Sequence, residues 1–390
     1  MDSKNTRETV VALTGLGALA VCILACTSFS PDDKKILYPT FDPQSRAMGI
    51  GLYDRPSRKS RVLFASRAMS EQGEAKTPVM MRSEWLPDGK HVVVTWDLLS
   101  GAKEDTCVAM FALLSLDGKE PVRLMHLTGL KECGVCVYYP LPMVGARAYV
   151  NAGSNIITLD LLTGETQVRT NGQKLQVYSA PVPGRLGFAA EIGEDRIECG
   201  LLNPETLTKE WRVEVEQKKD GCDCFFAFSP VGRKVVFTPD RSTEPVLTIY
   251  EEGKPAKSVP VPVAEKEQLS LGQVTFSPDG RSLFVAFEGE TEGKDGKSLG
   301  VVELPLDGSP ARRTVLISGA KLTHDQPVGF FQFGLSHDGK ALAVSSAYEA
   351  VANEGFRAED CALFIVDLAA ARRAVTKISI PLPVDCGSLK

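Results

Sequence analysis

The chain has 390 residues, 43% of them hydrophobic, so it can bury a large core as two or three ordinary domains or as one large all-β domain. Its 44 Lys and Arg against 49 Asp and Glu leave a net charge of −5, with no long basic run. That balance excludes nucleic acid as the main partner, because a phosphate backbone is bound by clustered cations.

Residues 1–31 differ in kind from the rest. Lys4 and Arg7 precede a stretch from Thr9 to Pro31 with no charged residue, and Asp32-Asp33-Lys34-Lys35 follows at once. This is an export or anchoring segment. Its Ile23-Leu24-Ala25-Cys26 resembles the lipobox of bacterial lipoproteins, which implies lipidation of Cys26 as the new N-terminus. The stretch is also long enough to remain as an uncleaved membrane-spanning apolar helix, for which about 20 residues suffice, and a simple cleaved signal is the third reading. Both anchored readings keep the charged N-terminus in the cytoplasm and the rest outside, in the cell envelope on the extracytoplasmic side of a bacterial membrane. The pattern Gly15 to Ala20 (GxGxxA) falls inside this segment, as small residues of an apolar helix and not as a dinucleotide loop.

Beyond the anchor the chain repeats itself. Val274 to Phe287 reads as a strand, the turn Ser277-Pro278-Asp279-Gly280, and a returning strand. Pro278 presets φ for a type I turn, Ser277 can bond the backbone ahead, and Gly280 takes the positive φ that ends it. Matching hairpins centre on Pro87-Asp88-Gly89, Ser229-Pro230-Val231-Gly232 and Ser336-His337-Asp338-Gly339, with degenerate copies at Tyr139 to Gly145 and Tyr178 to Gly184. The weakest copy is Phe41-Asp42-Pro43-Gln44-Ser45. From Ser45 through Gly89, Gly145, Gly184, Gly232 and Gly280 to Gly339 the spacings are 44, 56, 39, 48, 48 and 59 residues, the period of a propeller blade. A third apolar strand follows each hairpin, as at Val108 to Leu116, Ile156 to Leu162 and Gly300 to Leu306, and a fourth closes most units, as at Trp211 to Val215 and Arg313 to Ile317. In the first unit Ile36 to Arg67 holds three strand-like runs, with Ala75 to Met81 as a poor fourth.

FSPDG[RK], complete only at Phe276 to Arg281, followed by apolar strands ending in Asp-Leu or Leu-Asp-Gly, resembles the WD40-like repeat of TolB-type β-propellers. The resemblance covers most of Ile36 to Pro383. It implies an all-β propeller of four-stranded antiparallel blades, seven in number with six as the fallback, and says almost nothing about activity. The expected division is an anchor at 1–31, the propeller at 32–386 and a tail at 387–390.

In such a topology the turns after strands one and three share one rim, and they are uniformly tight here. The other rim collects Asp97 to Thr106, Pro239 to Pro245, Glu288 to Leu299 and Ala347 to Asp360, which makes it the candidate binding surface. Eight cysteines beyond the anchor, Cys107, Cys133, Cys136, Cys199, Cys222, Cys224, Cys361 and Cys386, invite disulfides in an exported protein. All but Cys199 fall near the long-connection rim. Cys361 with Cys386 could fasten the last blade, and Cys199 could reach Cys222 or Cys224. The CxxC and CxC pairs make a weak zinc signal, since 85 residues separate Cys136 from Cys222.

Linear catalytic signals are poor. The four histidines form no HExxH, and no G-x-S-x-G elbow occurs. S-x-x-K at Ser100 to Lys103 and at Ser318 to Lys321 follows strands in loops and lacks its companion motifs. The acidic run Glu288, Glu290, Glu292 and Asp295 reads as a solvated loop, because the twelfth place of a calcium loop is Leu299. No cofactor and no metal is expected. The chain reads as a membrane-anchored binding or scaffolding module for a protein partner. Its alternatives are a hydrolase or lyase with its site at the central channel, and an accessory subunit of a larger membrane complex.

Overall fold

The computed structural model describes residues 27–42, 47–65, 81–99, 107–118, 122–130, 141–170, 175–193, 196–216, 226–238, 245–265, 267–291, 296–320, 333–345, 362–370 and 373–379. The apolar segment through Cys26 lies outside these residues.

Alternating apolar positions bounded by turn residues produce strands throughout. Blade 1 comprises β1 (Ser28–Phe29), β2 (Lys35–Asp42), β3 (Ala47–Asp54) and β4 (Lys59–Ala65). Blade 2 comprises β5 (Met81–Trp85), β6 (His91–Leu99), β7 (Cys107–Ser115) and β8 (Arg123–Leu130). Blade 3 comprises β9 (Met143–Val144), β10 (Arg147–Ala152), β11 (Asn155–Asp160) and β12 (Thr166–Thr170). Blade 4 comprises β13 (Leu175–Tyr178), β14 (Leu186–Glu191), β15 (Arg196–Leu202) and β16 (Lys209–Glu216). Blade 5 comprises β17 (Phe226–Phe228), β18 (Lys234–Phe237), β19 (Val246–Glu251) and β20 (Lys257–Pro260). Blade 6 comprises β21 (Glu267–Phe276), β22 (Ser282–Thr291), β23 (Lys297–Pro305) and β24 (Arg312–Ala320). Blade 7 comprises β25 (Phe333–Leu335), β26 (Ala341–Ser345), β27 (Ala362–Asp367) and β28 (Val375–Ser379). Each blade is one antiparallel sheet of four consecutive strands, so the fold is the seven-bladed propeller that the repeat implies.

The blades bury their faces against one another, and seven apolar clusters fill the seven junctions. Trp85, Trp96 and Phe64 join blades 1 and 2. Val236, Val285 and Phe287 join blades 5 and 6. Ile36 and Tyr38 meet Ala343 and Leu363 to close blade 1 on blade 7. Among the described residues no strand is shared across that last junction, which is held by packing and by side-chain contacts such as Asp33 with His337 and Ser345 with the Pro39 carbonyl.

The structure corrects the first repeat. Phe41 and Asp42 end β2, and the hairpin turn of blade 1 lies twelve residues earlier, at Ser30-Pro31-Asp32-Asp33 between β1 and β2. Asp33 occupies the glycine position at φ 57°. This copy is masked in the sequence, because Phe29-Ser30-Pro31 sits at the end of the uncharged stretch and lacks the glycine. The hydrogen bonds leave no ambiguity. The Ser30 hydroxyl donates to Asp32 Oδ1 at 2.7 Å and accepts from Lys35 N at 2.9 Å, and Ser336 repeats this with Asp338 and Ala341 at 2.7 and 2.8 Å. The strand that completes blade 1 is therefore its first, Ser28–Phe29, and Met81 belongs to β5. In blade 3 the hairpin is tighter than expected, with Gly145 and Ala146 alone between β9 and β10. The supposed acidic loop is largely sheet, since Glu288 and Glu290 pair with Leu299 and Lys297 in the extended β22–β23 ladder, and Ser318 to Ala320 belong to β24.

Candidate functional site

Antiparallel order within each blade puts the first and third turns on one rim and all other connections on the opposite rim. The tight turns touch around the ring. Gly280 abuts Ser229 and Val231, Gly339 abuts Pro278, and Gly89 abuts Pro31. Asp33 accepts from the backbone N–H groups of His337 at 2.8 Å and Asp338 at 3.1 Å, and its Oδ1 lies 2.9 Å from His337 Nδ1. Blades 5, 6, 7, 1 and 2 are thus stitched turn to turn. Hydrogen bonds from Ser277 and Ser30 hold the Asp279 and Asp32 carboxyls below the usual carboxylate range.

The opposite rim is where the β2–β3, β6–β7, β18–β19, β22–β23 and β26–β27 connections and the blade-to-blade crossings begin and end. Blade 6 reaches furthest into it with strands of nine and ten residues. Near its end Arg313 on β24 lies 4.0 Å over the Phe287 ring and reaches across the sheet to Glu267 on β21, with both guanidinium contacts at 2.5 Å. Gly289 clears the path, because a Cβ there would meet Glu267 and Arg313. Beside it Lys297 pairs with Glu288, whose carboxyl burial pushes up against the pull of that cation.

A cavity of about 560 Å³ opens on blade 4, lined by Glu191, Arg196, Glu198, Lys209, Arg212 and Glu214 together with Ile192. Alternation along β15 and β16 places Arg196, Glu198, Arg212 and Glu214 on one sheet face, beside the Phe188 ring that Lys209 covers at 5.3 Å. Glu198 is buried and held by Lys209 and by Arg212 at 2.8 Å, and Arg196 pairs with Glu214 at 2.8 Å. The cavity is therefore charged but internally balanced, and it lies on the outer strands, away from the channel.

Glu84 lies on the inner strand β5, where no local pattern marks it. Burial lifts its carboxyl to about 7 against the pull of Arg82 two residues away, and its Oε1 is enclosed without a partner. Arg82 is fully buried. Only an inner-strand position two residues from another charge could have marked it, and that pattern is common on exposed strands.

Of the sequence-selected cysteines, Cys107 starts β7 at the long-connection rim. Cys199 is a buried free thiol on β15, its acidity suppressed by burial. Cys26, Cys133, Cys136, Cys222, Cys224, Cys361 and Cys386 lie outside the described residues, as do Ser100 to Lys103, Glu292 and Asp295. Among the described residues no group of three or more His, Cys, Asp or Glu is placed to hold a metal ion.

No protein-family model matches the chain, and no curated protein matches it by sequence. Solved structures do. A protein provisionally described as a 6-phosphogluconolactonase from Bacteroides fragilis aligns over 89% of this chain and 95% of its own, at 12% identity and a TM-score of 0.50. A second so described, from Bacteroides uniformis, aligns over 90% and 98%, also at 12% identity and a TM-score of 0.50. At such identity the likeness concerns architecture alone, and with the seven sheets in the ring it makes this chain a seven-bladed β-propeller.

Proposed function

We propose that this chain is an extracytoplasmic propeller fastened to a bacterial membrane through lipidated Cys26, working as a binding or scaffolding module whose long-connection rim meets a protein partner. The observation that carries the reading is the asymmetry of the rims. One is stitched turn to turn from blade 5 round to blade 2, while the other gathers the long connections. Most of the charged groups of the blade 4 cavity are taken up in ion pairs, Glu198 with Lys209 and Arg212 and Glu214 with Arg196, which favours recognition over chemistry there.

Lipidation accounts for the anchor better than an uncleaved helix does. The ring already uses Thr27 to Ser30, which leaves the uncharged run from Thr9 to Cys26. At ~1.5 Å per residue that run reaches roughly 27 Å, at the short end of what spans a hydrocarbon core of ~30 Å. A photo-crosslinking amino acid at Glu290 on the long-connection rim should give discrete protein adducts in cells, and the same residue at Asp307 on the tight rim should not. Adducts from Asp307 alone would overturn the assignment of the binding rim.

A second reading, an enzyme of the hydrolase or lyase class acting at the channel, draws support from Glu84 alone. A carboxyl at about 7 on an inner strand is poised for proton transfer at neutral pH. Turnover on a small-molecule panel that Glu84→Gln abolishes would establish it.

A further inference from the structure

We propose that the blade 4 cavity is a binding site for a short zwitterionic peptide, whose carboxylate docks at Arg212 and Lys209 and whose ammonium docks at Glu214 and Glu191. The inference goes beyond the scaffold reading and stands without the anchor.

Phe188 and Ala190 on β14 pack with Tyr149 and Ile156 of blade 3 and pair across the sheet with Gly200 and Glu198, so the flank of blade 4 that carries Glu198 faces blade 3. Blade 3 covers only the tight-rim end of that flank. Arg169, one residue from the end of β12, already meets the Pro204 and Glu205 carbonyls in the turn between β15 and β16, so the outer strands of blade 3 run out level with that turn. Beyond it the flank is open. The side chains of Arg196, Arg212 and Glu214 are 56, 67 and 59% exposed around the buried Glu198. The opening is the cavity of about 560 Å³, within the ~300 to 1,000 Å³ of small-ligand sites.

Its charges are not those of a stabilising ladder. Glu198 and Glu214 stand directly opposite each other across β15 and β16, a like-charge pairing that costs stability. The cations that offset it come from other rungs, and a bulge aims one of them. Leu201 pairs with Trp211 but Leu202 pairs with Lys209, so Glu210 is an extra residue and Lys209 turns from the Trp211 side of the sheet to the Glu198 side. There it pairs with the buried carboxylate and covers the Phe188 ring. Lys209 and Arg212 against Glu198 leave a positive excess at the tight-rim end, and Glu191 and Glu214 against Arg196 leave a negative excess at the other. The cavity is neutral as a whole and polar along its length. An anion alone engages one end and leaves the other unused, whereas a ligand with both charges in matching order engages both. Two residues along β16 put Arg212 and Glu214 about 7 Å apart, and Glu191, beside Ile197, lies about 10 Å along the sheet from the Gly200 that Arg212 faces. The charges of a free α-amino acid are too close together for that span. An extended tripeptide, at up to ~3.6 Å per residue, matches it.

The test is calorimetric titration of the full-length protein in detergent at pH 7 with trialanine, its N-acetyl form, its C-terminal amide and free alanine. Trialanine should bind saturably, and each of the other three about tenfold more weakly or worse, the loss of one charge-assisted contact. Arg212→Gln should weaken trialanine by about the same factor and leave the amide unchanged, because the amide has no carboxylate to lose. Glu214→Gln should do the same for trialanine and leave the N-acetyl form unchanged. Both side chains are exposed, and Glu198 keeps Lys209 in either variant. Trialanine that gives no saturable heat, or a capped form that binds as tightly as trialanine, overturns the proposal. That comparison needs only the unaltered protein, so it decides the matter even where a variant fails to fold.

Discussion

On one rim of this ring Ser277 accepts from the Arg281 and Ser282 N–H groups at 3.1 and 2.9 Å, Ser336 and Ser30 repeat the arrangement, and the turns press on one another. On the other rim contacts such as Arg313 to Glu267 and Lys297 to Glu288 stay within a blade, single side chains such as Ser345 and Asn151 reach the next blade, and the connections vary in length. The difference teaches where the repeat is constrained. Neighbouring copies of the SPDG-type turn must fit each other, so their length and chemistry are held. Connections that need only reach the next strand are free to vary, and a binding surface can be built from them.

The contrast can be broken most forcefully inside blade 6. Arg313→Leu takes both guanidinium contacts from the enclosed Glu267 carboxylate, which keeps the Ala264 N–H, and should cost about 3 kcal/mol, read as a lower urea midpoint at unchanged slope. Glu84 offers the next largest effect. Its carboxyl rises from 4.5 to about 7 on folding, so the folded state binds the proton more tightly. The stability this contributes is complete below the ordinary carboxyl range and is lost as pH rises through about 7. At roughly 1.4 kcal/mol per unit the span is about 3 kcal/mol at most, and Glu84→Gln should flatten it in melts taken between pH 4 and 8.

A sharper test concerns the closing junction. Asp33→Gly restores the repeat's own glycine at a left-handed position, so the repeat pattern alone predicts stabilisation. The structure predicts a loss of about 1 to 2 kcal/mol, because three contacts to His337 and Asp338 disappear from a junction with no shared strand. Thermal melting with Gly89→Ala as the strained-turn control separates the two. Ser277→Ala should cost about 1 kcal/mol by freeing the Ser282 N–H and leaving the Arg281 N–H to Asp279 alone. Glu290→Ala, exposed on the other rim, should stay within about 0.5 kcal/mol yet weaken crosslinking to the partner, and a larger stability loss would remove the distinction between the rims.

Much of the ring was legible in the chain. The strands at Val108 to Leu116, Ile156 to Leu162 and Trp211 to Val215 fall within a residue or two of β7, β11 and β16, because alternation and turn residues act locally. The first turn was not, since Asp33 takes a conformation glycine normally marks and its place is confirmed only by partners some 300 residues away. Glu84 was illegible for a related reason. Its acidity depends on what covers it, and nothing within its own strand records that.

Periodicity, turn chemistry and the run of uncharged residues ending at Cys26 thus determined by themselves a propeller-type repeat behind an anchoring segment, because each is a property of neighbours along the chain. Tertiary structure alone decided that Thr27 to Ser30 belong to the ring, that blade 1 meets blade 7 through Asp33 without a shared strand, and that Arg313 crosses a whole blade to Glu267. Those depend on contacts between residues tens to hundreds of positions apart, whose energies no local pattern contains.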